Sequence, residues 1–400
     1  MLPDSWNRSS IDRIEGLDGL RGLAILLVLT FHLHWHSYGK AGVMLFFVLS
    51  GFLITRVLQK AAARRGVGAY LRQFYVRRSL RIFPLYFGTV GLIAFGGCFL
   101  AYSPALKSAL PYAATFTLNI ERAFVQDQHV LGHFWSLCVE EHFYLFWPLL
   151  VFLLHRRIRL LSLALIVAGP LIRAITGHFL LAFPAGEEHL DYATAVYYLS
   201  TSHIDAFAVG AFLSTFGFHT PRESWRAAGI LAGATMAGLV LGLGFCGLWP
   251  VPAVTGELAP AGGAVGSVSG AWAAWPYVWT YSLVNLGSGT LMLLVLEQRF
   301  FRRLFSMEWL RYTGTISYGL YVLHYPVKGL LITGLATPLQ AVGSASVGVA
   351  ILNVIYLVVV FVAAALSYRY YESPFLRLKD LWAGPSSKPP EAQASEIRTA

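Results

Sequence analysis

Charged residues are scarce in this 400-residue chain: only 12% are Asp, Glu, Lys or Arg, whereas soluble domains carry about 25%. Hydrophobic residues make up 56%, and this imbalance argues against a soluble globular protein of this size. Aromatic residues make up 14%, which excludes a disordered chain because such chains contain few of them. The composition therefore predicts an all-α polytopic membrane protein.

Cysteines are also few. The three that are present suit neither a disulfide framework nor a Cys-rich metal site, so we interpret them as small buried residues. His32 and His36 have the i, i+4 spacing of a metal pair, but no third ligand is evident, and no Gly-rich phosphate loop of the nucleotide-binding kinds occurs. The net charge of +10 would fit a nucleic-acid partner only in a soluble protein. We expect no metal, no bound cofactor and no nucleic acid.

Ten apolar segments are long enough to span a bilayer, which takes about 20 residues of helix. They are Leu20–Ser37, Ala41–Leu58, Leu80–Tyr102, Phe134–Leu154, Leu160–Phe183, Ala195–Phe218, Ala227–Trp249, Trp275–Leu296, Gly314–Leu335 and Ser346–Tyr368. The first has no small-residue cleavage site behind it, so we expect it to be retained rather than removed as a signal peptide. The predicted fold is a bundle of about ten transmembrane helices.

The basic residues predict the orientation of this bundle. With ten spans both termini share one side, and that side carries 25 of the 30 lysines and arginines. Basic loops stay in the cytoplasm, so both termini are expected there. We expect a cytoplasmic segment at 1–16, a membrane domain at 17–376 and a disordered cytoplasmic tail at 377–400. Ser103–His133 is then the longest outer loop, and Pro250–Ala274 a flexible outer connection.

Several expected spans carry ionisable residues well inside the membrane, where a charge costs about 2.5–3.5 kcal/mol on insertion scales. Six such residues on four helices are His32, Glu140, Glu141, His203, Asp205 and His324. The helical rise places them between the midplane and the outer third of the bilayer, which predicts one internal polar cavity. The alternatives are structural: His324 can be a hydrogen-bonded core residue, and Asp205 can pair with a buried cation or tyrosine.

Two groups of arginines have informative spacing. Arg21 lies eleven residues before His32, about three helical turns, so the two side chains share one face about 16 Å apart. Arg78 and Arg81 form an i, i+3 pair at the start of the third span, and the alternatives for them are the positive-inside bias and binding of a phosphorylated ligand. The same helical period turns His34 away from His32.

Seven strings of residues, in one order along the chain, carry a resemblance to a known family. They are Leu17–Ala24, Gly42–Leu53, Tyr75–Pro84, Phe134–Tyr144, His203–Ala206, Ile316–His324 and Tyr368–Pro374. Together they resemble the acyltransferase-3 family of integral membrane O-acyltransferases, in the stand-alone form without a fused esterase-like domain.

The resemblance implies an enzyme of a bacterial plasma (inner) membrane that moves an acyl group from cytoplasmic acyl-CoA to a hydroxyl group. The expected acyl group is acetyl, with acetyl-CoA as the donor. The acceptor it implies is a sugar, a cell-surface glycan, a lipid-linked sugar or a glycosylated small molecule, and membrane lipids surround the protein. The resemblance carries over His32 as the catalytic histidine with Arg21 as its motif partner, Arg78 and Arg81 as acyl-CoA-site arginines, and Glu140 or Glu141 as functional acids. We therefore predict that His32 is the general base or acyl carrier, that Glu140 and Glu141 take part in catalysis, and that Arg21 joins Arg78 and Arg81 in binding acyl-CoA. The residues predicted for the acceptor site or its support are Asp205, His203, His324, Tyr144, Trp135 and Ser136.

Three residues depart from the pattern of the family. Met44 stands where an acidic residue is usual, His142 where Gln is common, and His203 where Arg is frequent. The competing interpretation is a transporter or flippase of a glycan-related substrate, because buried charges at the midplane also mark substrate pathways.

Overall fold

The computed structural model describes residues 15–36, 38–62, 66–97, 103–125, 127–182, 192–216, 226–231, 233, 275–340 and 345–382. These residues form helices and turns without any β-strand, which confirms the all-α class. Five helical stretches among them are long and apolar enough to cross a membrane: Gly39–Ala62, Val67–Gly97, Gly132–Leu180, Val278–Glu297 and Val347–Leu378.

The described residues contain fifteen numbered α-helices. They are α1 (Glu15–His32), α2 (Gly39–Ala62), α3 (Val67–Gly97), α4 (Pro104–Ala114), α5 (Leu118–Phe124), α6 (Trp135–Leu154), α7 (Ile158–Ala182), α8 (Tyr192–Tyr198), α9 (Ile204–Ser214), α10 (Trp275–Glu297), α11 (Arg299–Phe305), α12 (Glu308–Thr315), α13 (Ser317–Gln340), α14 (Ala345–Leu366) and α15 (Ser373–Trp382). Short 3₁₀ turns precede α6, α7 and α9, and a π-helical turn, Ser367–Glu372, joins α14 to α15.

The outer surface of the bundle is apolar. Large exposed hydrophobic side chains follow the outward faces of three helices: Leu145, Phe146 and Leu149 of α6, Leu160, Val167 and Leu171 of α7, and Val354, Val358 and Val362 of α14. In the most apolar 18-residue stretch of Val347–Leu378, which contains α14, only 17% is buried, against 67% in the corresponding stretch of α2. Continuous apolar surface of this kind is suited to lipid rather than water, so α14 is peripheral and α2 central.

The central helix α2 packs closely against α9, and two glycines make this possible. A β-carbon at Gly51 would overlap the carbonyl oxygen of Phe207, and one at Gly210 would overlap that of Val48. Small residues let membrane helices approach until their backbones touch. This contact holds Ser50, the neighbour of Gly51, at the centre of the bundle.

The helix expected over Ala195–Phe218 is broken by the 3₁₀ turn Ser200–His203, which separates α8 from α9. Inside the membrane, backbone groups that leave a helix need partners from the protein. The Nε2 atom of His203 donates to the carbonyl oxygen of Tyr197 at 2.6 Å, and Arg173 donates to a carbonyl of the turn at 2.6 Å. Hydropathy averaged over the segment does not reveal this break.

Helix α1 ends at His32, earlier than expected. The backbone N–H groups of His34 and Trp35 donate to the carbonyls of Phe31 and Thr30 at 2.9 and 3.2 Å, which is the Schellman pattern of a helix end. His34 adopts a φ of 59°, the left-handed conformation of the residue after such an end. The helical period does not apply beyond His32, so it does not turn the side chain of His34 away from His32.

Other sequence-based boundaries also differ. The loop expected over Ser103–His133 contains helices α4 and α5, and α15 continues to Trp382, past the domain boundary at 376. Most of the seventh expected span, and all of Pro250–Ala274, lies outside the described residues.

Candidate active site

A polar pocket lies where α1, α2, α3, α6 and α13 meet. Its polar lining brings together residues far apart in sequence: Arg21, Ser50, Arg78, Arg81, Ser136, Glu140, Tyr144, Ser317, Tyr318 and Tyr321. All three predicted acyl-CoA arginines are in this set, as are three of the other predicted residues, Glu140, Tyr144 and Ser136. The i, i+3 spacing of Arg78 and Arg81 puts both on the face of α3 that is turned to the pocket. We call it the arginine pocket.

The charges that line the arginine pocket are unbalanced. Three guanidinium groups face one carboxylate, Glu140, among the described residues of its lining. The guanidinium carbon of Arg78 lies 5.0 Å from the centroid of the Tyr144 ring, and the contact of Arg21 with Asp18 is long, 3.9 Å. Arginines that keep unused N–H donors bind phosphate well, because the planar fork of the guanidinium matches phosphate oxygens. The pocket is therefore suited to a polyanion.

The structure separates the two adjacent glutamates of α6. Glu140 lines the pocket and accepts hydrogen bonds from Ser50 Oγ at 2.7 Å and from Tyr144 Oη at 3.3 Å. Glu141 does not line it, and its Oε1 atom is buried without a hydrogen-bond partner among the described residues. Successive residues of a helix point about 100° apart, so only one of the pair can face the pocket.

His32 does not line the arginine pocket. It lines a second pocket, between the end of α1 and helices α13 and α14, whose polar lining is His32, His34, Lys328, Asn353 and Tyr356. The expectation of one internal cavity is therefore wrong for this conformation. Side chains of α6 and α13 fill the space between the two pockets. We call the second one the histidine pocket.

Tyr321 and Ser136 form the wall between the two pockets. The hydroxyl of Tyr321 donates to the carbonyl oxygen of His133 at 2.6 Å, and Ser136 Oγ lies 2.5 Å from the same hydroxyl. One face of Tyr321 belongs to the arginine pocket, and its ring centroid lies 5.5 Å from that of His324. His324 in turn lies 5.0 Å from His32, ring to ring, so Tyr321 and His324 connect the arginine pocket to His32.

Three histidines from three segments meet beside this wall. His324 is fully buried, with its ring 5.0 Å from His32 and 4.7 Å from His133. Its Nδ1 lies 2.6 Å from the carbonyl oxygen of Tyr321. A carbonyl only accepts, so the proton of His324 is on Nδ1, and its Nε2 carries a lone pair. That Nε2 is buried without a partner among the described residues.

Asp205 lies in neither pocket. Its carboxylate forms two hydrogen bonds of 2.9 Å with Arg173, and both side chains are at most 1% exposed. Ser282 donates to the same carboxylate at 2.7 Å, while Arg173 also donates to the carbonyl oxygen of Val278. The structural alternative for Asp205 is therefore the one that the geometry supports. The pair joins α7, α9 and α10.

His203 and Trp135 belong to an aromatic layer behind the arginine pocket. The ring of His203 lies 5.5 Å from that of Trp135 and 5.1 Å from that of Phe47, which lines the pocket. Because the Nε2 of His203 is used by a backbone carbonyl, this residue supports the break before α9 rather than the pocket. Among the described residues, no three His, Cys, Asp or Glu side chains are arranged to hold a metal ion.

A family model for an acyltransferase domain matches residues 14–369, nearly the whole chain and all of both pockets. The chain belongs to the acyltransferase-3 family. This confirms the family expected from the seven strings. The transporter alternative gains no support from the comparisons.

Relatives of this acyltransferase-3 chain are bacterial. It is 27% identical over 390 residues to the peptidoglycan O-acetyltransferase OatA of Listeria monocytogenes, covering 92% of this chain and 56% of the relative. It is 29% identical over 380 residues to the putative peptidoglycan O-acetyltransferase YrhL of Bacillus subtilis, covering 90% and 54%. The chain thus spans about half the length of these relatives. No solved structure matches it.

The other two departures from the acyltransferase-3 pattern, Met44 and His142, both lie outside the two pockets. Met44 is 1% exposed in the core of α2 and lines neither pocket, so its side chain does not face the site in this conformation. His142 Nδ1 lies 2.7 Å from Ser200 Oγ, which also accepts a hydrogen bond from Asn119. His142 therefore helps to join α5, α6 and the turn before α9.

Sequence analysis missed several residues of the two pockets. Ser50 and Tyr321 are within the quoted strings, but as uncharged residues they carried no signal of their own. His133 lines neither pocket but belongs to the wall between them; it immediately precedes the string at Phe134 and is the last residue of the expected outer loop. Lys328 and Tyr356 had no motif at all, and only the packing of α13 on α14 places them beside His32.

Proposed function

We propose that this protein is a membrane O-acetyltransferase that moves an acetyl group from acetyl-CoA to a hydroxyl of a bacterial cell-wall glycan of the peptidoglycan type. The family match and the names of OatA and YrhL support the reaction class and the kind of acceptor. The observation that carries the proposal is the convergence of Arg21, Arg78 and Arg81 in one pocket with a single carboxylate. Phosphates of CoA meet the requirements of that pocket.

The proposed topology has ten spans in the inner membrane and both termini in the cytoplasm. It is supported by the 25-to-5 division of basic residues. In this orientation Arg21 lies on the cytoplasmic side of α1, and His32 lies about 16 Å further along the same helix. Reporter fusions at the C-terminus should be active only in the cytoplasm, and a fusion active only in the periplasm would reverse the orientation.

In the proposed mechanism His32 is the general base. A neutral imidazole accepts the proton of the acceptor hydroxyl while the hydroxyl oxygen attacks the thioester carbonyl carbon. The tetrahedral intermediate collapses with cleavage of the C–S bond, and the imidazolium returns its proton to the CoA thiolate. The products are the acetyl ester and free CoA. In a close variant His32 itself carries the acetyl group between the two substrates.

His324 orients the base in this mechanism. No carboxylate forms a hydrogen bond or ion pair with the ring of His32 in the part of the chain that the structure describes, so the partner that usually holds a catalytic histidine is lacking here. The Nε2 lone pair of His324 has no partner among the described residues and lies on a ring 5.0 Å from that of His32. In the reacting state of the proposed mechanism it takes that part by accepting the N–H of His32. The other nitrogen of His32 is then left free to accept a proton.

The acetyl group must pass the wall between the pockets. Ser136 and Tyr321 stand there, so the mechanism requires the Tyr321 side chain to leave its hydrogen bond with the His133 carbonyl. A change in the Tyr321 rotamer would open the path from the arginine pocket to His324 and His32.

The decisive experiment uses the purified full-length chain in lipid nanodiscs with acetyl-CoA and a soluble glycan fragment. Release of free CoA should require the fragment, and mass spectrometry should find one acetyl ester on it. CoA release that is independent of every acceptor would indicate a hydrolase. The absence of both CoA release and acetylated product, in folded protein, would overturn the proposal.

A further inference from the structure

The histidine pocket contains a set of polar groups that the reaction does not use. Besides His32 and His34 it is lined by Lys328 of α13 and by Asn353 and Tyr356 of α14. We propose that this pocket binds the acceptor, and that Lys328 and Tyr356 select a saccharide with an anionic group close to the hydroxyl that is acetylated. This inference rests on the proposed function and names its acceptor.

The charge on Lys328 is the first argument. Lys328 lies within α13, which belongs to the ninth span of the proposed topology, where an unpaired ammonium is costly. Its Nζ donates to the carbonyl oxygen of His32, and no carboxylate lines the pocket among the described residues. An ammonium group has three N–H donors, so Lys328 keeps donors and an uncompensated positive charge at the catalytic histidine. An anionic group on the ligand would accept hydrogen bonds from these donors and would neutralise this charge.

Tyr356 is the second and independent argument. Its side chain is 2% exposed, and its hydroxyl has no hydrogen-bond partner in the described part of the chain. A buried hydroxyl without a partner costs about 1–3 kcal/mol, so such groups usually have a use. In this pocket the hydroxyl of Tyr356 and the amide of Asn353 can exchange hydrogen bonds with the hydroxyl groups of a sugar.

The shape of the pocket also suits an acceptor. Aliphatic side chains complete its lining, and two of them, Ile332 and Val349, are 44% and 54% exposed at the surface between α13 and α14. The pocket is therefore open at the side of the bundle. His32 separates it from the wall at Tyr321, so donor and acceptor reach the histidine from opposite sides, as transfer between two bound substrates requires.

A purely structural role of Lys328 is the competing explanation. The carbonyl of His32 is at the C-terminal end of α1, where a cation is favourable and the last carbonyls lack helical partners. In that case Lys328 only holds the end of α1. Its loss would then affect every acceptor alike, whereas an anion-binding role predicts an effect confined to anionic acceptors.

The test compares two disaccharides that differ in one lactyl ether group, which carries the only carboxylate: N-acetylglucosamine linked to N-acetylmuramic acid, and N-acetylglucosamine linked to N-acetylglucosamine. Binding to the full-length chain in nanodiscs is measured by calorimetry without acetyl-CoA, so that no turnover is needed. The wild type should bind the anionic disaccharide more tightly. Lys328→Gln should weaken that binding by about tenfold or more, as expected for one charge-assisted hydrogen bond, and leave the neutral disaccharide unchanged.

The controls separate the explanations. Tyr356→Phe should weaken the binding of both disaccharides, because it removes a hydroxyl that does not depend on charge. Lys107→Gln, at an exposed lysine of α4, should change neither. Equal binding of the two disaccharides by the wild type, or a Lys328→Gln variant with unchanged selectivity and a lower melting temperature, would overturn the inference. Selective binding without acetyl transfer would leave the acceptor pocket standing and contradict the proposed function instead.

Discussion

Two arrangements of arginine inside the bundle have opposite designs. Arg173 is completely buried, and its guanidinium is matched by Asp205, Ser282 and backbone carbonyls. Arg21, Arg78 and Arg81 surround an open pocket with one carboxylate among its described lining. The first arrangement has no capacity left for a ligand, whereas the second has unused donors and excess positive charge. A charge inside the bundle therefore does not identify a binding site by itself. N–H donors and positive charge that have no partner within the protein do identify one.

The largest expected effect is on stability, and it comes from breaking the Arg173–Asp205 ion pair. Asp205→Ala leaves the Arg173 guanidinium buried without its carboxylate, and breaking such a pair costs about 3–5 kcal/mol. We expect a lower melting temperature in detergent and a lower yield of folded protein. The double variant Arg173→Met, Asp205→Leu should recover much of the loss, because the uncompensated charge is gone. A stable Asp205→Ala protein that binds acetyl-CoA poorly would show that Asp205 supports the arginine pocket rather than the fold.

His32→Ala should lower acetyl transfer by about 10²–10⁴-fold, the usual contribution of a general base, with little change in melting temperature. Rates are measured per folded protein, after size-exclusion chromatography. His155→Ala, at an exposed histidine of the turn before α7, is the matched control and should retain activity. A His32→Ala variant within a few-fold of wild type would exclude His32 as base and as acetyl carrier.

His324→Leu removes the lone pair proposed to orient His32, and it should lower kcat by less than His32→Ala does. His324→Gln supplies an amide oxygen that can accept the same N–H, so it should regain part of the rate. The pH dependence of kcat should also change in His324→Leu, because the orientation of the base is altered. Identical losses in both variants with an unchanged pH profile would indicate that His324 acts through packing alone.

The unused donors of the arginine pocket predict an effect on the binding of acetyl-CoA. Replacing Arg78 and Arg81 together by Ala removes charge-assisted hydrogen bonds of about 1.5–3 kcal/mol each, so KM for acetyl-CoA should rise at least tenfold. The melting temperature should hardly change, in contrast to Asp205→Ala. The control is the double replacement of Arg156 and Arg157, which are exposed in the turn before α7. Equal KM values for the two double variants would contradict a phosphate site in the arginine pocket.

The smallest effect concerns the end of α1. His34 has a φ of 59°, which costs a residue with a β-carbon about 1–2 kcal/mol and glycine very little. His34→Gly should therefore match or slightly exceed the wild type in melting temperature, and His34→Val should lie below both. A destabilised His34→Gly variant would show that the imidazole, rather than the backbone, holds this turn.

The fold class was accessible from the sequence because it depends on composition and on the length of apolar segments. The interruptions of the helices were not. The break at Ser200–His203 is stabilised by His203 and by Arg173 from another helix, and a hydropathy average contains neither interaction. For the same reason the helical period correctly placed Arg78 and Arg81, both inside α3, but failed for His34, which lies beyond the end of α1.

Composition, apolar segments and the ordered strings were enough to predict an integral membrane protein, its family, and the arginines and acids that the strings contain. How these residues are divided became visible in the fold: Asp205 joins Arg173, Glu140 faces the arginine pocket while Glu141 does not, and His32 lies with Lys328 and Tyr356 in a separate pocket. The charge and polarity of a residue are properties of that residue alone, whereas its partner is set by packing between distant helices. Whether a buried charge is satisfied depends on that partner, and so does whether it can act on a ligand.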